Sequence, residues 1–202
     1  VVRLEKAHQD SFMFRALDSR DVEGIKQYIQ DIVDRFGRID GLVNNAAVGQ
    51  DHLLLHMAED IVKDIIDINL FSPIMLSKEV AKQMMLQEEG GRIVSISSIC
   101  GTRGYPGLTV YSATKAALDS FSRSFAREVG GRGILVNTLS PGFFESEMSS
   151  VLLPEQLDTI KRRTPTKHMT AEENIEPVLD MLLFENTNIT GENILIDGGI
   201  SS

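Results

Sequence analysis

Tyr111 and Lys115 stand four residues apart in a stretch of helical periodicity, so their side chains share one helix face and can reach one point in space. A phenol beside a cation is easier to ionise, because the positive charge stabilises the phenolate and draws a pKa of about 10 towards working pH. Such a tyrosine can exchange a proton with an alcohol or carbonyl oxygen. Ser98 stands thirteen residues earlier, at the end of an apolar, β-branched run, and can hydrogen-bond the same oxygen. Spacing alone is weak, since a Tyr-x-x-x-Lys pair is in most helices a solvated amphipathic pair. The other strand ends make the difference.

Those ends are unusual. Short apolar runs at Phe12–Leu17, Gly41–Asn45, Arg92–Ser97, Ile134–Leu139 and Asn193–Ile196 alternate with helical periodicity at Val22–Phe36, Asp60–Gln87, Tyr111–Val129 and Ala171–Phe184. This is the pattern of βαβ units and predicts a Rossmann-like, doubly wound parallel sheet in three α/β/α layers. In such a sheet ligands bind outside the carboxyl ends of the strands. There the chain places Asn44-Asn45-Ala46-Ala47, then Ser97-Ser98, then Ser140-Pro141-Gly142, so three strands deliver small polar groups to one rim. No repeat, low-complexity tract or linker divides residues 1–202, which are expected to form one domain. Pro141–Pro165 reads as the longest irregular segment, and residues 143–165 as a lid loop on the substrate side.

The bulk composition excludes more than it identifies. With 42% hydrophobic and 24% charged residues, 16 Gly and 6 Pro, the 202 residues have the make-up of a folded globular protein. The 29 acidic residues outnumber the 20 basic ones, giving a net charge of −9, and no basic run could track phosphates, so nucleic acid is not an expected partner. Cys100 is the single cysteine, and His8, His52, His56 and His168 show no metal-ligand spacing, so no metal site is expected and a reducing, cytoplasmic compartment fits. No apolar run approaches bilayer length, so no membrane partner is expected. The chain begins at Val1 and enters at once the charged segment Arg3-Leu4-Glu5-Lys6, so further residues are expected upstream.

Taken together, these motifs resemble the short-chain dehydrogenase/reductase family over nearly the whole chain. Asn44-Asn45-Ala46-Ala47 is similar to its Asn-Asn-Ala-Gly turn under the nucleotide, Asn69 to its catalytic asparagine, and Ser98, Tyr111 and Lys115 to its catalytic trio. Pro141-Gly142 and Ser146 match the loop that holds the nicotinamide. The resemblance implies that Tyr111 is the acid/base and that Ser98 orients the reacting oxygen. Lys115 would hold the nicotinamide ribose, lower the tyrosine pKa and reach solvent through a water positioned by the Asn69 backbone. Asp18 resembles the aspartate beside the adenine, and its equal alternative is a turn or capping acid ahead of Val22. The cofactor-binding set so implied is Asp18, Ser19, Asn44, Ala46, Tyr111, Lys115, Pro141, Gly142, Phe144 and Ser146, and the catalytic set Asn69, Ser98, Tyr111 and Lys115. The family's glycine-rich phosphate loop is absent, because Gly101–Gly107 lies between the serine and the tyrosine; an upstream segment is therefore expected to carry it. Ala47 replaces the usual glycine.

Within the family, Val110–Lys115, the run Pro141–Met148 and Asp197-Gly198-Gly199 look most like the 3-oxoacyl-carrier-protein reductases of fatty-acid synthesis. That implies reduction of a 3-oxoacyl thioester, with NADP(H) more than NAD(H) as cofactor, on an acyl carrier protein or coenzyme A, by a homo-oligomer, tetramer or dimer. Arg103 and Arg132 are candidate docking groups at the entrance, opposed by Glu88 and Glu89. Phe143, Phe144, Met148, Leu152 and Leu153 either line an acyl channel or pack the lid on the core. Two other functions stay open: a dehydrogenase of another small alcohol, ketone or sugar, and a non-catalytic binding protein that has lost the nucleotide. The determinants of NADP against NAD are expected upstream of Val1.

Overall fold

Asp21 and Gly37 bound the first helix, α1 (Val22–Phe36), by side-chain and backbone chemistry. The Asp21 carboxylate accepts the Gly24 N–H at 3.0 Å, and Gly37, at φ 84°, turns the chain left-handed while its own N–H closes on the Val33 carbonyl. The computed structural model describes residues 11–18, 20–50, 52–143 and 154–202. Beyond α1 the order is β1 (Gly41–Asn44), α2 (Glu59–Ile66), a π-helical turn at Asp67–Phe71, α3 (Ser72–Met84), β2 (Gly91–Ile96), α4 (Thr109–Val129) and β3 (Ile134–Pro141). Then follow α5 (Pro154–Arg163), α6 (Glu172–Asp180), a second π-helical turn at Met181–Glu185, and β4 (Asn193–Ile196).

The four strands run parallel in the order β1-β2-β3-β4, with Val43 beside Val94, Val94 beside Asn137, and Leu139 beside Ile194. Strand residues alternate between two apolar clusters. On one face Ile93, Ile134 and Val136 pack with Ile25 and Ile29 of α1, Val80 and Met84 of α3, and Ala126 and Val129 of α4. On the other face Val94 and Leu139 pack with Leu182, and Ile175, Val178 and Leu179 of α6 close over them. The sheet is therefore covered on both faces, as the run-and-period pattern predicts, and burying it this way is the main favourable term of folding.

Three features depart from the expectation. Phe12–Leu17 forms no strand: β1 pairs only with β2 among the described residues, and an extended segment with no ladder partner has nowhere to place its backbone hydrogen bonds. Asp60–Gln87 is not one uniform helix but α2 and α3 joined by the π-helical turn. Pro154–Arg163, read as part of an irregular lid, is helical. Residues 144–153, with Phe144, Ser146, Met148, Leu152 and Leu153, and also Ser19, lie outside the described residues.

The connections carry information that no local pattern holds. β1 to β2 and β2 to β3 cross through α3 and α4 on one face, whereas β3 to β4 crosses through α6 on the other. All three step the same way across the sheet, so the last crossover has the opposite hand to the first two, against the strong preference for right-handed βαβ units. Among the described residues no helix is long and apolar enough to cross a membrane.

Glycines at the opposite, amino rim are more demanding than they look in sequence. A methyl group at Gly90 (φ 67°) would fall onto the Gly133 carbonyl, whereas one at Gly37 would meet nothing within 4 Å. Gly37→Ala is expected to cost about 1 kcal/mol, from its left-handed backbone alone. Gly90→Ala is expected to cost at least about 2 kcal/mol, because two backbones must move apart. Urea denaturation of both variants checks this, and equal losses would contradict it.

Candidate active site

α4 begins at Thr109, two residues ahead of the expected start, so Tyr111 lies in its first turn and Lys115 in its second. Lys115 is 3% exposed. Its Nζ donates to the Ile96 carbonyl at the end of β2, at 2.6 Å, and lies 5.5 Å from the centroid of the Tyr111 ring. Burial pulls the amine down to about 8, while Asp119 and the Cys100 thiol favour its charged form.

Burial likewise pushes the Tyr111 hydroxyl up to about 12; Cys100 adds to the rise and the hydrogen bond with the Ser98 hydroxyl opposes it. In the folded chain burial thus outweighs the lowering of the phenol pKa that the lysine was expected to bring. The ammonium is held on a strand-end carbonyl and stands over the ring rather than at the hydroxyl, so desolvation of the phenolate wins. A phenol kept protonated is suited to giving a proton to an oxygen that gains charge.

Ser98 continues β2 as an extended residue, and its Oγ accepts the Cys100 N–H at 3.2 Å, turning the chain into the short helix Ile99–Gly101. Its hydroxyl and that of Tyr111 therefore face each other across the junction of β2 and α4. Cys100 is buried, and a free cysteine there packs as a small apolar side chain.

Asn69 sits in the π-helical turn, 1% exposed. Its Oδ1 accepts the Val48 N–H and its Nδ2 donates to the Val48 carbonyl, both at 2.8 Å, with a further contact of 3.4 Å to Thr114 Oγ1. Thr114 Oγ1 in turn donates to the Tyr111 carbonyl at 2.7 Å. One amide thus ties the loop after β1 to the helix that carries the tyrosine. Pro73, four residues on, has no N–H to give the Asn69 carbonyl, and π-turns free such groups at functional sites.

Other expected residues have their own surroundings. Asn44 is buried, its Nδ2 between Ser77 Oγ and Ser95 Oγ at 3.0 Å each, and its Oδ1 accepts no hydrogen bond. Its side chain therefore ties β1 to α3 and β2, while Ala46 beyond it is exposed on the rim. Asp18 is exposed and held by Arg20, which also bridges to Asp64 of α2; the capping acid of α1 is Asp21. Arg20 lowers the Asp18 pKa. Gly142 donates to the Ile196 carbonyl at 2.8 Å, and a Cβ there would stand 2.8 Å from Asp197 Cα, so Pro141-Gly142 is pressed against the end of β4.

Tyr105, which the motifs did not single out, packs edge-on against Phe143 with centroids 5.4 Å apart, joining the loop after Ser98 to the loop after β3. His168 Nδ1 lies 3.3 Å from the Met169 carbonyl. Arg103 is on the rim and donates to the Ser201 carbonyl at 2.8 Å. Arg132, Glu88 and Glu89 stand before β3 and β2, at the amino ends, roughly 20 Å of strand from Ser98. They are not at the entrance, and Glu89 is paired with Arg38 at 2.8 Å.

A family model described as enoyl-(acyl carrier protein) reductase matches residues 1–201. The chain is 39% identical over 185 residues to the 3-oxoacyl-[acyl-carrier-protein] reductase FabG of Salmonella typhimurium, a match covering 91% of this chain and 75% of that protein. It is 38% identical over 186 residues to the FabG of Vibrio cholerae, covering 92% and 76%. With the FabG of Escherichia coli it shares 39% over 185 residues, covering 91% and 75%.

The buried lysine has a thermodynamic signature. Its amine is held at about 8 in the folded protein against 10.5 in the open chain. Below pH 8 both states bind the proton and the folded state bears the full desolvation penalty; between 8 and 10.5 the unfolded chain binds more protons, so this group makes stability rise with pH. Lys115→Met removes the penalty of up to about 3 kcal/mol at pH 7, offset in part by the unpaired Ile96 carbonyl. The stability of the variant relative to wild type, from urea denaturation, should fall by up to about 3 kcal/mol between pH 7 and 10.5. A difference independent of pH would refute the assignment.

Proposed function

This chain belongs to the short-chain dehydrogenase/reductase family, and from that premise we propose that it reduces a 3-oxoacyl thioester to the 3-hydroxyacyl form with a reduced nicotinamide cofactor. The observation that carries the reading is the meeting of Ser98, Tyr111 and Lys115 at one rim of the sheet, in a chain so similar to reductases of that substrate class.

The donor set fits the cofactor. An ammonium has three donors, and among the described residues Lys115 uses one of them in a hydrogen bond, on Ile96. Two remain for the hydroxyls of a nicotinamide ribose beside Tyr111. Asp18, Asn44, Ala46, Pro141 and Gly142 are proposed to line the rest of the nucleotide path, with Ser19, Phe144 and Ser146. NADPH is placed ahead of NADH because the likeness is to reductases of a synthetic pathway.

The bound nicotinamide supplies the hydride for the 3-oxo carbon. The protein supplies position and the proton. Ser98 holds the oxo oxygen by a hydrogen bond, and the Tyr111 O–H bond breaks as its proton passes to that oxygen. Lys115, charged and close to the ring, stabilises the phenolate that is left. The Asn69 carbonyl, without its usual donor from residue 73, holds a water through which the proton is replaced from solvent. Phe143 and Tyr105 offer an apolar edge to the acyl chain.

Tyr111→Phe keeps the ring and the lysine but has no proton to give. Turnover should fall by at least about 10²-fold while cofactor binding, followed by nicotinamide fluorescence, persists; near-normal turnover would sink the role. For the substrate, acetoacetyl thioesters on a carrier protein and on coenzyme A should be reduced with NADPH in preference to a panel of simple ketones and sugars. Reduction of a ketone with inert thioesters would move the assignment to another alcohol or ketone.

A further inference from the structure

Asp119 follows Lys115 by one helical turn, so Tyr111, Lys115 and Asp119 form one row along α4. It is 4% exposed, and four other segments close around it. Asn193 of β4 donates to its Oδ2 at 3.0 Å and is itself held by Ser140 of β3, whose Oγ donates to Asn193 Oδ1 at 2.8 Å. The hydroxyls of Ser97, at the end of β2, and of Thr138, in β3, face the carboxylate and lower its pKa against the rise that burial causes. Gly101, in the turn after Ser98, comes so near that a Cβ there would stand 3.2 Å from Asp119 Oδ2.

For stability alone this is a poor choice of residue. Asp119 Oδ1 and Thr138 Oγ1 are buried and make no well-aligned hydrogen bond, and replacing a half-satisfied buried ion by an apolar residue is often neutral or stabilising. What the carboxylate does have is the buried Lys115 ammonium one helical turn before it, with no direct ion pair between them but with each charge acting on the other. The charged groups bearing on Asp119 are Arg123 and Lys115, both of its own helix; those bearing on Lys115 are Asp119 and Cys100. Asp119 is thus the one carboxylate that acts on the buried amine among the described residues.

We propose that Asp119 is a positioning residue of the proton-transfer centre, its carboxylate keeping the Lys115 ammonium charged at neutral pH and tying α4, through Asn193, to β3 and β4. The proposal rests on the reductase reading above. Without Asp119, burial acts on the amine unopposed except by Cys100, Lys115 loses its proton at lower pH, and Tyr111 gives up its proton with no cation beside it.

The test uses the whole chain. In Asp119→Asn, nearly the same in shape, the high-pH limb of turnover for reduction should move down by at least about half a unit, with kcat lost near neutral pH and KM for the thioester little changed. The Lys115 Nζ titration, followed by ¹⁵N NMR of the ligand-free protein, should move the same way. Asn193→Ala cuts the tether but keeps the charge, so it should lower Tm and leave the limb in place. An unmoved limb and an unmoved amine in Asp119→Asn would overturn the proposal, as would an equal shift in both variants. If Asp119→Asn does not fold, NMR of the unaltered protein decides: Asp119 should ionise while Lys115 is still charged, and the Lys115 Nζ signal should respond to the Asp119 step as well as to its own; an Nζ signal blind to the Asp119 step overturns the proposal. A wild-type protein inert towards thioesters would defeat the reductase reading instead, and the NMR result would stand apart from it.

Discussion

An ammonium group held at 3% exposure on a strand-end carbonyl is the constraint around which the rim is arranged. A buried charge must be hydrogen-bonded and compensated or it neutralises. Lys115 therefore needs the Ile96 carbonyl at the carboxyl end of β2 and a carboxylate within reach, and it needs α4 pressed close against the sheet. The small side chains of α4 permit that approach, and Gly101 lies within van der Waals reach of the main chain at Lys115 and Ala116. The same closeness half-buries Tyr111 and brings its hydroxyl to Ser98. Placing the lysine thus places the other two.

Between the two apolar clusters and the rim lies a layer of asparagines that do mechanical work. Asn44 joins β1 to Ser77 and Ser95, and Asn69 clasps both backbone groups of Val48. Asn137 takes the Glu192 N–H and gives to the Ile189 carbonyl, and Asn193 bridges Ser140 to Asp119. An amide offers a donor and an acceptor in one plane, so each can replace a missing piece of ladder where strands end and loops begin. Rigid loops are what a site needs if a proton is to pass between fixed oxygens.

Much of this was legible along the chain. The apolar spacing in Val22–Phe36 and the stop at Gly37 define α1 without help from any neighbour, and the β-branched runs at β1 to β4 fall within a residue or two of their predicted limits. Ser98, Tyr111 and Lys115 were visible because their types and spacing are tied to one helix and one strand end. Phe12–Leu17 misled because a β-like composition makes a strand only where another strand offers a ladder. The π-turn at Asn69 was hidden because a one-residue widening does not alter the apolar period, although Pro73 marks the place. Asp119 was overlooked because a charged residue on an amphipathic helix is usually on the wet side, and only packing turned it inward.

The sequence by itself determined which segments become helices and strands, and which residue types can move a proton, since both depend on neighbours at most a few positions away. Tertiary structure alone decided the rest. It set the hand of the last crossover, which depends on the face that α6 must cover, and the work of Asn44, which depends on what lies across from it. It also decided the protonation of the central pair. Spacing suggested that the lysine would ease the tyrosine's ionisation, yet in the folded chain burial raises the one and lowers the other, because desolvation grows with every element packed around a charge and no linear pattern counts those elements.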